Sequence, residues 1–331
     1  MKHRRFVIAS ALVMIGVAGA IAVLALYSNH LVRASAPSLP DALNNIPSDY
    51  QFISGINVQR FVTSPYYARL RQKQNQAPQI GNDLATFIEQ TGVDPARDVS
   101  YLVFAGGLKG QGVGIVAGTF DPDKIVSFIK SKASPSELEY AGARVIMIPD
   151  KNRTGVQNGI AFLSERQIAV GNLESIKSVL DTRTGTKASI LSNTGISSLI
   201  SNISPEEMFW FAGNASGLLA RAPLTTPLGQ NISSIQSIVG TLNITDAVVG
   251  RITATAVSAE AAAKLTDVFK GFVALGQISG NQNPDLKTLL DGVSVSQNNS
   301  QVNLSLNVPV DVLEKLQQNR QFPAGKQPGA F

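Results

Sequence analysis

SYLVFAGGLKGQGVGIVAGTFDPDKIVSFIKSK, residues 100–132, carries the pattern from which the fold class can be read. Two runs rich in β-branched and aromatic residues, Ser100 to Ala105 and Gly112 to Phe120, flank the glycine-rich GGLKGQ (106–111). Two such runs around a glycine-containing loop predict antiparallel strands. Asp121-Pro122-Asp123 then predicts a helix start. A side-chain oxygen at the cap accepts from a first-turn N–H, proline suits the first helical position, and a further acid favours the positive end of the helix dipole. The helix is expected to run to about Lys132.

The same grammar recurs on the N-terminal side. From Tyr50, Phe52, Ser54 and Ile56 alternate with Ile53 and Gly55, which predicts a strand. Ser64-Pro65 opens a helix with Tyr66, Tyr67 and Leu70 on its apolar face. After a polar break at 72–83, Leu84 to Gln90 reads as a short second helix, stopped at Gly92, and Asp94-Pro95 turns the chain. On the C-terminal side, Val145 to Ile148, Gly159 to Leu163 and Gln167 to Val170 read as strands, and Asn172 caps a helix holding Ile176, Val179 and Leu180.

A second pass follows Gly185. Met208 to Ala212 predicts a strand and Ser216 to Arg221 a short helix. Ile235 to Leu242 and Ala247 to Val257 predict a strand pair. Ser258 caps a long helix with Ala262, Leu265, Phe269, Phe272 and Val273 on one side. Asn283-Pro284 begins another helix, and Val293 to Ser296 with Gln301 to Val308 form a hairpin. Asp311 and Glu314 have the spacing of a capping box for a last helix. Both halves thus read strand, helix, hairpin, helix, hairpin, helix. The expectation is an α+β fold, an internal repeat of two related lobes. Each lobe is a mostly antiparallel sheet with helices packed on it: a first α+β unit over 49–187, a second over 188–316, and a flexible tail over 317–331.

Before these units stands FVIASALVMIGVAGAIAVLALY, residues 6–27. As a helix it is roughly 33 Å long, enough for a hydrocarbon core of about 30 Å. Lys2, Arg4 and Arg5 precede it and predict a cytoplasmic N-terminus over 1–5. The expectation is a single-pass signal anchor from Phe6 to Tyr27 in the inner membrane, a linker over 28–48, and a periplasmic or otherwise extracytoplasmic globular part. The competing expectation is secretion after cleavage of a signal peptide, with an A-x-A site at Ala34-Ser35-Ala36. The apolar run is longer than a usual signal core, and Pro37 directly after the cut disfavours that reading.

Composition excludes several chemistries. The net charge of +5 over 331 residues is carried by the anchor flanks Lys2, Arg4, Arg5 and Arg33; setting these four aside from the 28 basic residues leaves 24 against 23 acidic. The remainder is nearly neutral and shows no basic stripe with interleaved aromatics, so nucleic acid is not an expected partner. There is no cysteine, which excludes disulfides, thiolate metal sites and a cysteine nucleophile. The two histidines, His3 and His30, flank the apolar run, so the globular part has no histidine base and no Ser-His-Asp triad.

The motifs that remain point to contacts. Gly106, Gly107, Lys109, Gly110 and Gly112 form the densest glycine cluster. A phosphate loop needs a helix N-terminus after it, but a strand follows here and no GK[ST] is present, so a hairpin loop is expected, a candidate interaction loop. Asp94, Asp98, Asp121 and Asp123 could pair for acid–base or metal work. Asp94 and Asp121 precede proline and Asp123 lies in a first turn, which is capping chemistry. Glu206-Glu207 after Ser204-Pro205 has the same helix-start reading. Trp210 lies between Phe209 and Phe211 and faces opposite to them. Core packing is the default for it, an aromatic contact with a partner the sharper alternative. No catalytic residue, cofactor or metal ligand is assigned.

Ile46-Pro47-Ser48-Asp49 with FISGINV (52–58), Thr91-Gly92-Val93-Asp94-Pro95 with Asp98, and AVGNLESIKSVLD (169–181) resemble uncharacterised bacterial exported, membrane-anchored proteins built of paired α+β units. The resemblance implies a bacterial origin and an extracytoplasmic location, and brings no catalytic residue with it. The functional expectation is a membrane-anchored, non-enzymatic binding or assembly module with a protein partner at the membrane. The alternatives are a small-molecule or lipid-binding protein at the lobe interface and a histidine-independent hydrolase.

Overall fold

The computed structural model describes residues 39–74, 81–107, 112–149, 157–215, 232–280 and 283–320. The expected anchor Phe6–Tyr27, the helix over 216–221 and the end of the tail lie outside them. No helix among the described residues is long and apolar enough to cross a membrane.

The chain starts with α1 (Leu39–Leu43), β1 (Phe52–Asn57), α2 (Val58–Val62), α3 (Pro65–Gln74), α4 (Gly81–Thr91), the one-turn α5 (Pro95–Asp98), β2 (Val99–Gly106) and β3 (Gly112–Gly118). It continues with α6 (Pro122–Lys132), β4 (Ser136–Tyr140), β5 (Ala143–Pro149), β6 (Gln157–Ser164), β7 (Gln167–Gly171), α7 (Leu173–Arg183) and α8 (Thr194–Ile200). The second half holds β8 (Phe209–Asn214), β9 (Ile235–Ile244), β10 (Ala247–Ala256), α9 (Ala259–Gly280), α10 (Pro284–Asp291), β11 (Val293–Asn298), β12 (Gln301–Pro309) and α11 (Val310–Arg320).

The starts of these helices follow the predicted caps. Asp121 accepts from Lys124 N–H at 3.2 Å, Asn172 from Ser175 N–H at 2.9 Å, and Ser64 Oγ from Tyr67 N–H at 3.1 Å. Ser258 Oγ accepts from Ala261 N–H at 3.1 Å and Asn283 Oδ1 from Leu286 N–H at 3.1 Å. The expected capping box differs: α11 begins at Val310, so Asp311 lies inside the first turn, where its carboxylate accepts from Arg69 at 2.8 Å.

The twelve strands form one sheet in the order β11-β12-β10-β9-β8-β1-β2-β3-β7-β6-β5-β4, and every pairing is antiparallel. This corrects the expectation of two lobes with a sheet each. The first strands of the two halves are each other's neighbours: Phe52–Ile56 of β1 pair with Gly213–Phe209 of β8. Unpaired, each would leave a row of backbone donors and acceptors open; pairing removes both edges. The repeated order survives inside the single sheet. From the seam outward, one side reads β1, β2, β3, then β7 and β6; the other reads β8, β9, β10, then β12 and β11.

The seam is packed by aromatic rings laid across glycines. Trp210 stands opposite Gly55, and Phe211 opposite Gly240. A Cβ on Gly55 would lie 2.3 Å from the indole Nε1, and one on Gly240 would lie 2.5 Å from the Phe211 ring. Phe52 stacks on Phe211 with ring centroids 6.2 Å apart. Arg69 of α3 reaches Asp246 at 2.9 Å and Asp311 at 2.8 Å, an exposed tie from the first half to the second.

The sheet separates two cores in its first half. On one face Ile53, Val103, Ile115, Val145 and Trp210 pack with Ile176, Val179 and Leu180 of α7 and Ile196 of α8. On the other, Leu102, Phe104 and Ile168 pack with Phe61, Tyr67, Phe120 and Ile125. A third core lies on this second face further along, where Ala254, Ala256 and Val302 meet Ala262 and Leu265 of α9. The sequence pattern does not announce β4, because SELEY alternates acids with apolar groups; it is the sheet's edge, where charge discourages further pairing.

Candidate functional site

Gly106 and Gly112 form the last pair between β2 and β3, and Gly107 follows directly. Lys109 and Gly110 lie outside the described residues. The glycine cluster thus joins two antiparallel strands, as expected of a hairpin. Gly112 N–H donates to Ser175 Oγ at 3.3 Å.

Trp210 is 2% exposed, and its indole N–H donates to the Tyr101 hydroxyl. Burial pushes the Tyr101 pKa upward, so that hydroxyl stays neutral. The ring fills the core across the seam, beyond the reach of a partner, so the aromatic-contact reading gives way to packing. Phe209 and Phe211 face oppositely to it, as alternation predicts.

The conspicuous acids are structural. Asp94, 2% exposed, caps α5 by accepting from Ala96 N–H at 3.0 Å. Asp98 accepts from Asp94 N–H at 2.7 Å and from Arg97 at 2.6 and 2.7 Å. Gln59 donates to the carbonyls of Ala96 at 3.1 Å and Val99 at 2.8 Å, which locks this turn to α2. Glu206 and Glu207 start no helix: they sit in a turn where Glu206 N–H donates to Ser204 Oγ at 3.2 Å, and Glu206 pairs with Arg60 at 3.0 Å.

One polar cluster had no signal in the sequence, because its members come together only across β4, β5 and α6. Glu137 receives Lys130 at 2.7 Å and Arg144 at 2.8 Å, with Asp123 a further 3.7 Å from Arg144. It borders a shallow depression lined also by Leu138, Glu139 and Gly142. Hydrogen bonds from Arg144 and then Lys130 hold the Glu137 carboxyl down to about 2 from its ordinary 4.5. A depressed carboxylate stabilises the fold above its unfolded pKa and loses that contribution as pH falls towards the folded value. The Tm difference between the wild-type chain and Glu137→Gln should therefore be constant near neutrality and shrink between pH 4.5 and 2. A pH-independent difference would show the ion cluster has no such role.

Among the described residues, the feature that sets the two halves apart is an uncovered sheet face. In β9–β12 the rows Leu242–Gly250–Leu306–Val293 and Gly240–Ile252–Leu304–Val295 lie on the α9 side. The intervening rows, Thr241–Arg251–Ser305–Ser294 and Val239–Thr253–Asn303–Ser296, lie on the opposite side. Arg251, Ser305, Ser294, Ser296 and Asn307 there are exposed. The first half covers its equivalent face with α7 and α8; among the described residues no helix packs on this one. Thr253 Oγ1 donates to Asn303 Oδ1 at 2.8 Å, and the Ser294 and Ser305 hydroxyls lie 2.6 Å apart. These four strands contain no acid and a single base, Arg251. Hydroxyls and amides at the interstrand spacing of about 4.8 Å make a hydrogen-bonding surface of low charge.

No family model matches the chain, and no curated protein matches it. Among solved structures, crystal form I of TP0453 is similar at 7% identity and a TM-score of 0.47, over 84% of this chain and 96% of that one. Crystal form IV of TP0453 is similar at 6% identity and a TM-score of 0.45, over 86% and 97%. At these scores the likeness is distant.

Proposed function

We propose that this chain is a membrane-tethered, extracytoplasmic binding or assembly module that works by contact. The observation that carries the reading is the face of β9–β12 left uncovered among the described residues, mostly neutral donors and acceptors with Val249 exposed among them and Arg251 as its one charge. Such a surface suits a polar protein segment that can match backbone and side-chain hydrogen bonds over several strands. Its near neutrality suits neither nucleic acid nor a strongly charged ligand. The residues 6–27 tether would raise the local concentration of the module near partners in the same membrane, so a modest contact suffices. The seam between the halves is packed by Trp210, Phe211 and their glycine partners.

Reporter fusions after Tyr50 and after Gln317 should be active only outside the cytoplasm, with the full chain retained in membranes. Cross-linking in intact cells should capture a partner lost on Arg251→Glu with Ser305→Glu, with the far-UV spectrum unchanged. A partner retained by that variant, or catalytic turnover abolished by replacing one buried side chain, would defeat the reading.

A further inference from the structure

Helix α9 changes character half-way along. In its first half Ala262 and Leu265 are fully buried against the sheet, and Lys264 pairs with Glu260 at 2.8 Å on the outer side. After Lys270 the sequence is GFVALGQISG (271–280), without a charge. Gly276 abuts Leu290 of α10, since a Cβ there would lie 2.8 Å from Leu290 Cδ1. On the outer side Phe272, Leu275 and Ile278 are 53%, 64% and 67% exposed. Sequence periodicity puts Phe272 on the packed side, yet it is 53% exposed. A helix turn that is apolar outside as well as inside belongs against a second apolar phase.

The direction of this half is set by its neighbours. Gln297 donates to the Ala259 carbonyl at 2.9 Å, level with Val302 and Ala254. At the other end Gln277 donates to Asp291 at 3.2 Å, just ahead of Val293, which is level with Leu306 and Gly250. So α9 runs antiparallel to β10 and its apolar half projects towards the strand end where β10 begins. The N-terminal part of the chain meets the sheet on the same register line, six strands away and on the opposite face. Asn45 donates to Gln167 at 2.8 Å, and the register runs from Gln167 through Ala117 and Tyr101 to Asn57, beside Ile56, Phe209 and Leu242. Residues 28–38, able to span up to about 40 Å when extended, connect Tyr27 to α1.

We propose that this end of the sheet faces the bilayer that holds residues 6–27, and that Phe272, Leu275 and Ile278 dock into its interface. The inference rests on the tether of the proposed function and adds a second, reversible lipid contact that fixes the module's orientation. Because 271–280 carries no charge, the contact is apolar burial in the interfacial layer and is indifferent to lipid headgroup charge.

The absence of cysteine makes site-specific probes direct. The full chain, reconstituted in phosphatidylcholine vesicles, would carry an environment-sensitive fluorophore on Phe272→Cys or Ile278→Cys, with Lys264→Cys as control on the same helix. Doxyl-labelled lipid should quench the probes at 272 and 278 several-fold more than at 264, and iodide the reverse, with no change when anionic lipid is added. Iodide quenching at 278 equal to that at 264 would overturn the docking. Shielding from iodide without doxyl quenching would overturn it too, since protein and not lipid would then cover the helix. Carbonate washing of the same vesicles separates the failures. A chain retained with position 278 in water leaves the tether standing; a chain released removes the tether and this inference with it.

Discussion

Gly55→Ala should destabilise the chain by about 1–3 kcal/mol, and the sign should reverse when Trp210 is made smaller. A methyl group on Gly55 would lie 2.3 to 2.5 Å from three indole atoms, and the indole has nowhere to retreat. It is 2% exposed, tied to the Tyr101 hydroxyl, and packed in the core shared by both halves. Trp210→Leu alone should also cost about 3 kcal/mol, from lost burial and the cavity left behind. In that background the methyl finds space, and glycine in a strand interior costs about 0.5–1 kcal/mol relative to alanine, so Gly55→Ala becomes neutral or stabilising. Urea unfolding of the full chain in detergent, followed by far-UV circular dichroism, gives the double-mutant cycle. Additive effects would mean that the seam is not held by the indole–glycine contact. Trp210 is the only tryptophan, so wild-type emission itself reports on the seam and should be blue-shifted until the halves separate.

Gly118→Ala should be as damaging, by about 3 kcal/mol, for a different reason: the obstacle is backbone. Its Cβ would lie 2.2 Å from the Asp98 carbonyl oxygen, which accepts from Thr119 N–H at 2.8 Å. That carbonyl cannot move aside cheaply, because the Asp94 cap, the Arg97–Asp98 pair and Gln59 hold α5. Gly142 is the control. It has φ +70°, and a Cβ there would meet nothing within 4 Å, so alanine should cost about 1 kcal/mol from left-handed backbone alone, and asparagine less. The same unfolding assay should rank Gly118→Ala well above Gly142→Ala. Equal effects would show that α5 is free to shift.

Much of the local structure was legible in the sequence. Asp121-Pro122, Asn172, Ser258 and Asn283 announced helix starts, because a capping side chain bonds within three residues and needs no tertiary partner. Alternation placed Phe209 and Phe211 opposite Trp210, because the pleat has period two wherever the strand lies. The reading of Gly106 to Gly112 as a hairpin loop rested on the same local logic. Other features gave no such signal. The cation pair on Glu137 is local, spanning 130–144, but it forms only because SELEY pairs as β4, which its pattern does not announce. The uncovered face of β9–β12 joins residues far apart in the chain. So does the tie from Arg69 to Asp246 and Asp311.

The sequence by itself determined the α+β class, the antiparallel hairpins and the capped helices, since propensity, capping and pleat act over a few residues. Only the tertiary structure decided that the two halves share one sheet. That depended on β1 finding β8, strands separated by some 150 residues, with each aromatic ring meeting a glycine on the neighbouring strand. Tertiary structure alone also decided which apolar groups stay outside. Periodicity grouped Phe272 with Ala262 and Leu265, yet only the latter two are buried against the sheet, because burial depends on what packs against each turn and not on the turn's own sequence.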